Sequence, residues 1–127
     1  MRPLILLVDD VEATRAPLAD LLRRRGYDVN ETGDGEQGLA MLRRHPSTCV
    51  VVLDLLMPNA DGWWFREQQL ADAAVASVPV IVFSVSSQTE IIKYTLKTEH
   101  VLQKPVAVDA LFTAIHECCG KSASSNR

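Results

Sequence analysis

Four places along the chain carry residue types that could do chemistry together: Asp9-Asp10, Asp54, Ser84 and Lys104. Each follows an apolar run. Leu4-Ile5-Leu6-Leu7-Val8 leads into Asp9-Asp10, and Cys49-Val50-Val51-Val52-Leu53 leads into Asp54. Val80-Ile81-Val82-Phe83 ends at Ser84, and the shorter Val101-Leu102-Gln103 ends at Lys104-Pro105. An acid directly after β-branched and aliphatic residues marks the point where a strand leaves the core. If these strands are parallel, an acid pair, a lone acid, a hydroxyl and an ammonium meet at one sheet edge. In open α/β sheets the binding crevice lies outside those carboxyl ends.

Three carboxylates brought together repel, and the repulsion raises a pKa unless a cation intervenes. Mg2+ resolves the conflict, because it takes a few carboxylates, keeps several waters and leaves room for a phosphoryl group. Alone, Asp9 and Asp10 read as caps of the helix that follows; the groups at the other strand ends favour the cation site. Lys104 could counter a carboxylate or hold a phosphoryl oxygen as a compact cation. Ser84 could donate to the same oxygen. A carboxylate is an established nucleophile toward phosphorus, and a lysine with a metal ion stabilises charge on the equatorial oxygens.

The elements that must position these groups follow from periodicity and punctuation. The first strand spans Leu4 to Val8, and a helix runs from Glu12 or Thr14 to Arg25 with Leu18, Leu21 and Leu22 on one face. Pro17 places its first turn near Thr14 to Pro17, since proline is tolerated early, and Gly26 ends it. Tyr27 to Thr32 alternates as an edge strand, Asp34-Gly35 is a turn, and a helix from Glu36 to Arg44 turns Leu39, Met41 and Leu42 inward. Gly38 inside that helix costs about 1 kcal/mol relative to alanine. After Asp54, a helix is expected from Trp63 to Ala74, with Trp63 and Phe65 inward and Trp64 exposed. A strand over Val78 to Phe83, a helix over Gln88 to Leu96, a short strand, and a helix from Val108 to Cys118 complete five β-α units. The pattern predicts a five-stranded parallel sheet, (βα)5, with helices on both faces. Strands buried on both sides explain the near-continuous apolar runs.

Composition fits one globular domain. The chain has 127 residues, 47% of them hydrophobic and 23% charged, enough for one sizeable core. A net charge of -3 argues against a nucleic-acid-binding domain, which would show a basic patch. Arg23 to Arg25 and Arg43-Arg44 fall at helix ends, where cations favour the dipole. Three cysteines, two of them adjacent, do not suggest a disulfide framework. Reduced thiols and a cytoplasmic setting are expected. No signal peptide or membrane-spanning run is read. Residues 121–127 read as a flexible polar tail or linker stub after a domain at 1–120.

The chain resembles the receiver domain of two-component response regulators, a family with a flavodoxin-like fold. The resemblance rests on Val8-Asp9-Asp10, Asp54-Leu55-Leu56-Met57-Pro58, Asp61-Gly62, Ser84 and Lys104-Pro105, in order across residues 4 to 117. It implies the strand order 2-1-3-4-5. It also implies that Asp54 is the phosphoacceptor, Asp10 a direct Mg2+ ligand and Asp9 the acid that holds metal-bound water. By the same resemblance, the backbone carbonyl of Leu56 is the third protein ligand, Ser84 the switch hydroxyl and Lys104 the phosphate-binding lysine. The implied donor is a phosphohistidine on a sensor histidine kinase or histidine phosphotransfer domain. The implied output is a switch in binding to a downstream protein. A monomer or weak homodimer is expected, with self-phosphorylation and slow self-dephosphorylation as the only catalysis.

Four departures from the family pattern stand out. Val101 occupies the position, three before Lys104, where an aromatic residue usually turns inward on activation. Val85 follows Ser84 where a small residue is usual, and is expected to crowd the site. The segment from Ser84 to Lys104 is slightly short and lacks a Gly-Ala before the last strand. Leu56, two after Asp54, is apolar and is expected to hinder attacking water. Leu56 also counts against a phosphatase of the haloacid dehalogenase type, which wants an aspartate there. A pseudo-receiver that binds partners without taking phosphate is the alternative that Val85 and Val101 keep open.

Overall fold

The computed structural model describes residues 2–58 and 60–124. Five strands, β1 (Leu4–Val8), β2 (Asp28–Thr32), β3 (Val50–Asp54), β4 (Val80–Ser84) and β5 (His100–Gln103), pair in parallel in the order β2-β1-β3-β4-β5. Five helices alternate with them: α1 (Glu12–Arg24), α2 (Gly35–Arg44), α3 (Gly62–Leu70), α4 (Thr89–Leu96) and α5 (Val108–Ser124).

Successive strand residues point to opposite faces of the sheet, and the core divides accordingly. Ile5, Leu7, Val50, Val52, Ile81 and Phe83 pack with Ala19 and Leu22 of α1 and Leu111, Ala114 and Ile115 of α5. Leu6, Val8, Val51, Leu53, Val80, Val82 and Val101 pack with Leu39 and Leu42 of α2, Phe65 of α3 and Ile92 and Leu96 of α4. Every residue of β3 and β4 is buried, as a central strand covered by helices on both faces must be.

Several boundaries differ from the sequence expectation, each for a local reason. α1 starts at Glu12, so Pro17 lies within the helix rather than in its first turn. The carbonyl that loses a donor belongs to Ala13, which is exposed and can bond water. α3 stops at Leu70, short of Ala74. There the Asp72 carboxylate accepts the Ala74 N–H at 3.0 Å, and the Gln69 side-chain amide donates to the carbonyls of Val75 and Val78. These bonds fold the chain back toward β4. Trp63 is the exposed tryptophan at 36%, while Trp64 packs against the core beside the fully buried Phe65. Placing Trp63 and Phe65 on one side applies a strand period to a helix, where residues two apart face away from each other.

The cysteine expectation is also corrected. Cys49, just before β3, is joined to Cys119 of α5 across 70 residues of chain. Their Cα atoms are 5.6 Å apart, within a disulfide's reach. Packing of α5 on that face of the sheet brings them together, a proximity that spacing along the chain does not reveal. Cys118 is the free thiol, and burial pushes it up to about 11. α5 continues to Ser124, past the expected end at Cys118. Of the expected polar tail, residues 125–127 lie outside the described residues.

Gly38 illustrates how tightly α2 meets the sheet. A Cβ there would sit 2.9 Å from Val8 Cγ2 and 3.3 Å from both Phe65 Cε2 and Thr32 Oγ1. Alanine is the better helix former, so propensity alone predicts a gain for Gly38→Ala. Overpacking should prevail, with a net loss of about 1–3 kcal/mol. Urea unfolding checks this, and a higher midpoint for the alanine variant would refute it.

Candidate functional site

The ends of β1, β3, β4 and β5 come level, and backbone hydrogen bonds extend the sheet just past them. Asp9 N–H donates to Thr32 at 3.1 Å, Leu55 N–H to Phe83 at 3.0 Å and Lys104 N–H to Ser84 at 2.7 Å. Asp54 is the last residue of β3 and lies opposite Phe83. It is only 5% exposed. Asp9, Asp10 and Asp54 each offer a carboxylate oxygen, and these oxygens lie within 4.8 Å of one another. Lys104 Nζ donates to Asp54 Oδ1 at 3.0 Å.

Asp9 has a second task. Its carboxylate accepts the Val11 N–H at 3.0 Å and the Thr14 hydroxyl at 3.2 Å. Val11 occupies the N-cap position of α1 without a side-chain capping bond, and Asp9 instead holds the Val11 N–H and the Thr14 side chain. The Arg15 guanidinium ties the same turn down, donating to the Asp9 carbonyl at 2.8 Å and to Glu31 at 3.2 Å. Anchoring the entry to α1 and binding a cation are therefore compatible roles for this acid. Asp10 is exposed and keeps its oxygens open to water.

Burial pushes the Asp54 carboxyl above its ordinary range. The Lys104 hydrogen bond and charge pull it down, and the nearby Asp9 and Asp10 charges push it up again. Desolvation and like charge prevail over one ammonium. An oxygen-only donor set with surplus negative charge fits a hard divalent cation such as Mg2+.

Ser84 is buried at the end of β4, and its Oγ accepts the Ser86 N–H at 3.1 Å. Leu56 and Val85 are 61% and 63% exposed, so neither is packed into the core. Val101 is buried in the core beside Ile92 and Leu96. Two glycines shape the loop after Asp54. Gly62 N–H donates to Leu55 at 2.9 Å, and a Cβ on Gly62 would lie 2.8 Å from Leu55 Cα. Gly35 N–H donates to Ala60 at 2.9 Å, and a Cβ there would collide with the Ala60 carbonyl.

Asp9, Asp10, Asp54 and Lys104 thus meet at the strand ends, and Ser84 ends the strand paired with that of Asp54. Two polar residues escaped the sequence reading: Arg66 and Gln69, both buried on α3. The signal was available, because they share the spacing of Gly62 and Phe65 on the buried stripe.

A family model described as the response regulator receiver domain matches residues 5–116. The chain belongs to that family. It is 30% identical to the sensory transduction protein RegX3 of Mycolicibacterium smegmatis, over 96% of this chain and 53% of that one. It is 27% identical to the probable chemotaxis protein CheY of Rhizobium etli, over 91% of this chain and 92% of that one. The chain thus spans about half the length of RegX3 but nearly all of the CheY protein. A putative response regulator from Chloroflexus aurantiacus superposes with a TM-score of 0.86 at 20% identity, covering 94% of this chain and 99% of that one. The receiver domain of the Pseudomonas aeruginosa sensor histidine kinase PA1611, solved with a magnesium ion in its active site cleft, gives 0.83 at 23% identity, covering 94% and 99%. Receiver domains are signalling modules of two-component systems, and the flavodoxin-like order of this sheet is theirs. Among the described residues, no helix is long and apolar enough to cross a membrane.

The raised Asp54 pKa has a consequence for stability. The folded state holds this proton more tightly than the unfolded chain, so stability falls as pH rises through the folded value. Ionised Asp54 therefore weakens the metal-free fold at neutral pH. Asp54→Asn should raise the melting midpoint at pH 7 in chelator, and the gain should vanish toward pH 3. An equal gain at both pH values would show that charge is not its source.

Proposed function

We propose that this receiver accepts a phosphoryl group on Asp54 from a phosphohistidine of a sensor histidine kinase or histidine phosphotransfer domain, and thereby switches binding to a downstream protein. The single observation that carries the reading is the buried Asp54 carboxylate, held by Lys104 beside two further acids at the strand ends. One Asp54 oxygen attacks phosphorus as the bond from phosphorus to the imidazole nitrogen breaks. The electron pair of that bond leaves with the imidazole.

Asp10 and Asp54, with the Leu56 carbonyl, would hold Mg2+, and Asp9 would hold its water. Bound there, the ion supplies charge neutralisation for the acids and the phosphoryl oxygens. Lys104 already reaches Asp54, so it needs only a small shift to meet an oxygen of the phosphoryl group. The Ser84 hydroxyl can donate to another of those oxygens while its lone pairs stay available to Ser86. The surplus negative charge of the metal-free site would repel the phosphoryl oxygens, so transfer to Asp54 would depend on the cation.

The acyl phosphate would bias the surface around β4, α4 and β5 between two arrangements. Val101 is part of the packed core, so that bias must reach α4 without an aromatic side chain turning inward. We assign the receiver to residues 1–120, working as a monomer or weak homodimer, with a protein rather than nucleic acid as its direct target.

Incubation with Mg2+ and acetyl phosphate, read by intact mass, tests the core of this reading. The native chain should gain one phosphoryl group, and Asp54→Asn should gain none. No gain in the native chain, with Mg2+ binding demonstrated, would favour a pseudo-receiver. The exposed Leu56 side chain should shield the acyl phosphate from water. Leu56→Asn, which can orient a water, should shorten the phosphoprotein's lifetime about tenfold, roughly 1.4 kcal/mol of barrier. An unchanged or longer lifetime would dismiss the shielding role.

A further inference from the structure

Arg66 lies buried between α3 and the far end of α4, away from the strand-end acids. Its Nε donates to the Leu96 carbonyl at 2.8 Å, and its NH2 group to the Lys97 carbonyl at 2.7 Å. Its NH1 group donates to Gln69 Oε1 at 2.8 Å. Among the described residues Arg66 takes part in no ion pair. Its charge is answered instead by the carbonyls at the C-terminal end of α4, the negative end of the helix dipole. Gln69 is fully buried and satisfied in turn by the carbonyls of Val75 and Val78. One guanidinium and one amide therefore bridge α3, the end of α4 and the approach to β4.

The same end of α4 is tied in other ways. Lys97 has a left-handed backbone, φ 55°, the only such non-glycine among the described residues, and the Arg66 bond to its carbonyl helps hold that turn. Thr98 N–H donates to Lys93 at 3.1 Å, and the Thr98 hydroxyl donates to the Val80 carbonyl.

The other end of α4 is built differently. Gln88 at its N-cap receives no side-chain capping bond, and the first helical bond, from Ile92 N–H to Gln88, is long at 3.3 Å. What holds this end is a ladder of two serines. Ser84 Oγ accepts the Ser86 N–H at 3.1 Å, and Ser86 Oγ accepts the Gln88 N–H at 3.0 Å. The bottom rung is the hydroxyl beside the acids. Any turn of Ser84 toward a group on Asp54 pulls on the start of α4 through bonds already made.

We propose that Arg66, supported by Gln69, is a positioning residue that pins the C-terminal end of α4, so that the helix pivots about Leu96–Lys97 when Ser84 moves its N-terminal end. The pivot rests on the phosphoacceptor reading of Asp54; the pin does not. A pivot also gives a route for switching that needs no aromatic side chain at position 101. It would swing the exposed Ile91 through a wider arc than the exposed Tyr94 while the α3–α4 contact stays closed.

Amide hydrogen exchange of the full chain tests the pin, comparing the native protein with Arg66→Leu/Gln69→Leu. The double change removes both bridging side chains at near-constant volume and takes their donors from the carbonyls of Leu96, Lys97, Val75 and Val78. Exchange at residues 95–98 should accelerate at least about tenfold, as loss of hydrogen bonds to a charged group implies, with β3 unchanged. Arg66→Lys, which restores a cation but not the fork, should recover part of that protection. If the double variant does not fold, Arg66→Lys alone should still accelerate residues 95–98 more than 89–92. Unchanged exchange at 95–98 would overturn the pin.

Beryllofluoride with Mg2+, a mimic of the acyl phosphate, tests the pivot by amide chemical shifts. In the native chain residues 85–91 should shift while 95–98 stay in place, and in the double variant the shifts should extend through Lys97. Uniform shifts along native α4 would overturn the pivot. A native chain that takes up no beryllofluoride would overturn the phosphoacceptor reading and the pivot together, while exchange still decides the pin.

Discussion

Asp9, Asp10 and Asp54 repel one another, and the parallel sheet is what keeps them close. Val8 pairs with Leu53, so the residues that follow these two strands emerge side by side. The strands cannot slip to relieve the repulsion. A one-residue shift would turn Val8 and Leu53 away from the helices that bury them. Core packing is thus converted into an electrostatic load at the strand ends. Lys104 offsets part of it, delivered by the pairing of β5 with β4. The remainder is what makes the site receptive to a cation.

The same load accounts for the form of the first loop. Asp9 could not be buried without partners, and the Val11 amide and Thr14 hydroxyl supply them. The anchoring of the entry to α1 follows from that need. Asp10, by contrast, is exposed to solvent.

The strand ends were legible in the sequence because apolar runs stop abruptly at charged residues. Asp9, Asp10, Asp54 and Lys104 meet for that reason, and the strand order followed from the family resemblance. What stayed hidden depends on contacts between elements distant in the chain. Arg66 shares the helical spacing of Gly62 and Phe65, but the carbonyls that answer its charge appear only once α4 is laid against α3. Cys49 and Cys119 are joined only once α5 covers β3. Of the two starts offered for α1, Glu12 is the one found; Pro17 pointed to a first turn at Thr14, but the carbonyl it leaves without a donor, on exposed Ala13, can bond water. Trp63 and Trp64 were exchanged because adjacent aromatics leave the helical phase open until Phe65 fixes it.

The two glycines around the loop after Asp54 have a further meaning. Leu56 would contribute a backbone oxygen, and every residue type carries one. Substituting the Leu56 side chain therefore leaves that donor atom in place. Its position depends on Gly62, pressed against Leu55, and on Gly35, pressed against Ala60 from a different helix. A saturation scan of this protein would accordingly register the third ligand as intolerance at positions 35 and 62. A ligand inventory drawn up from side chains would miss it, and α2, remote from the acids in sequence, would emerge as part of the metal site.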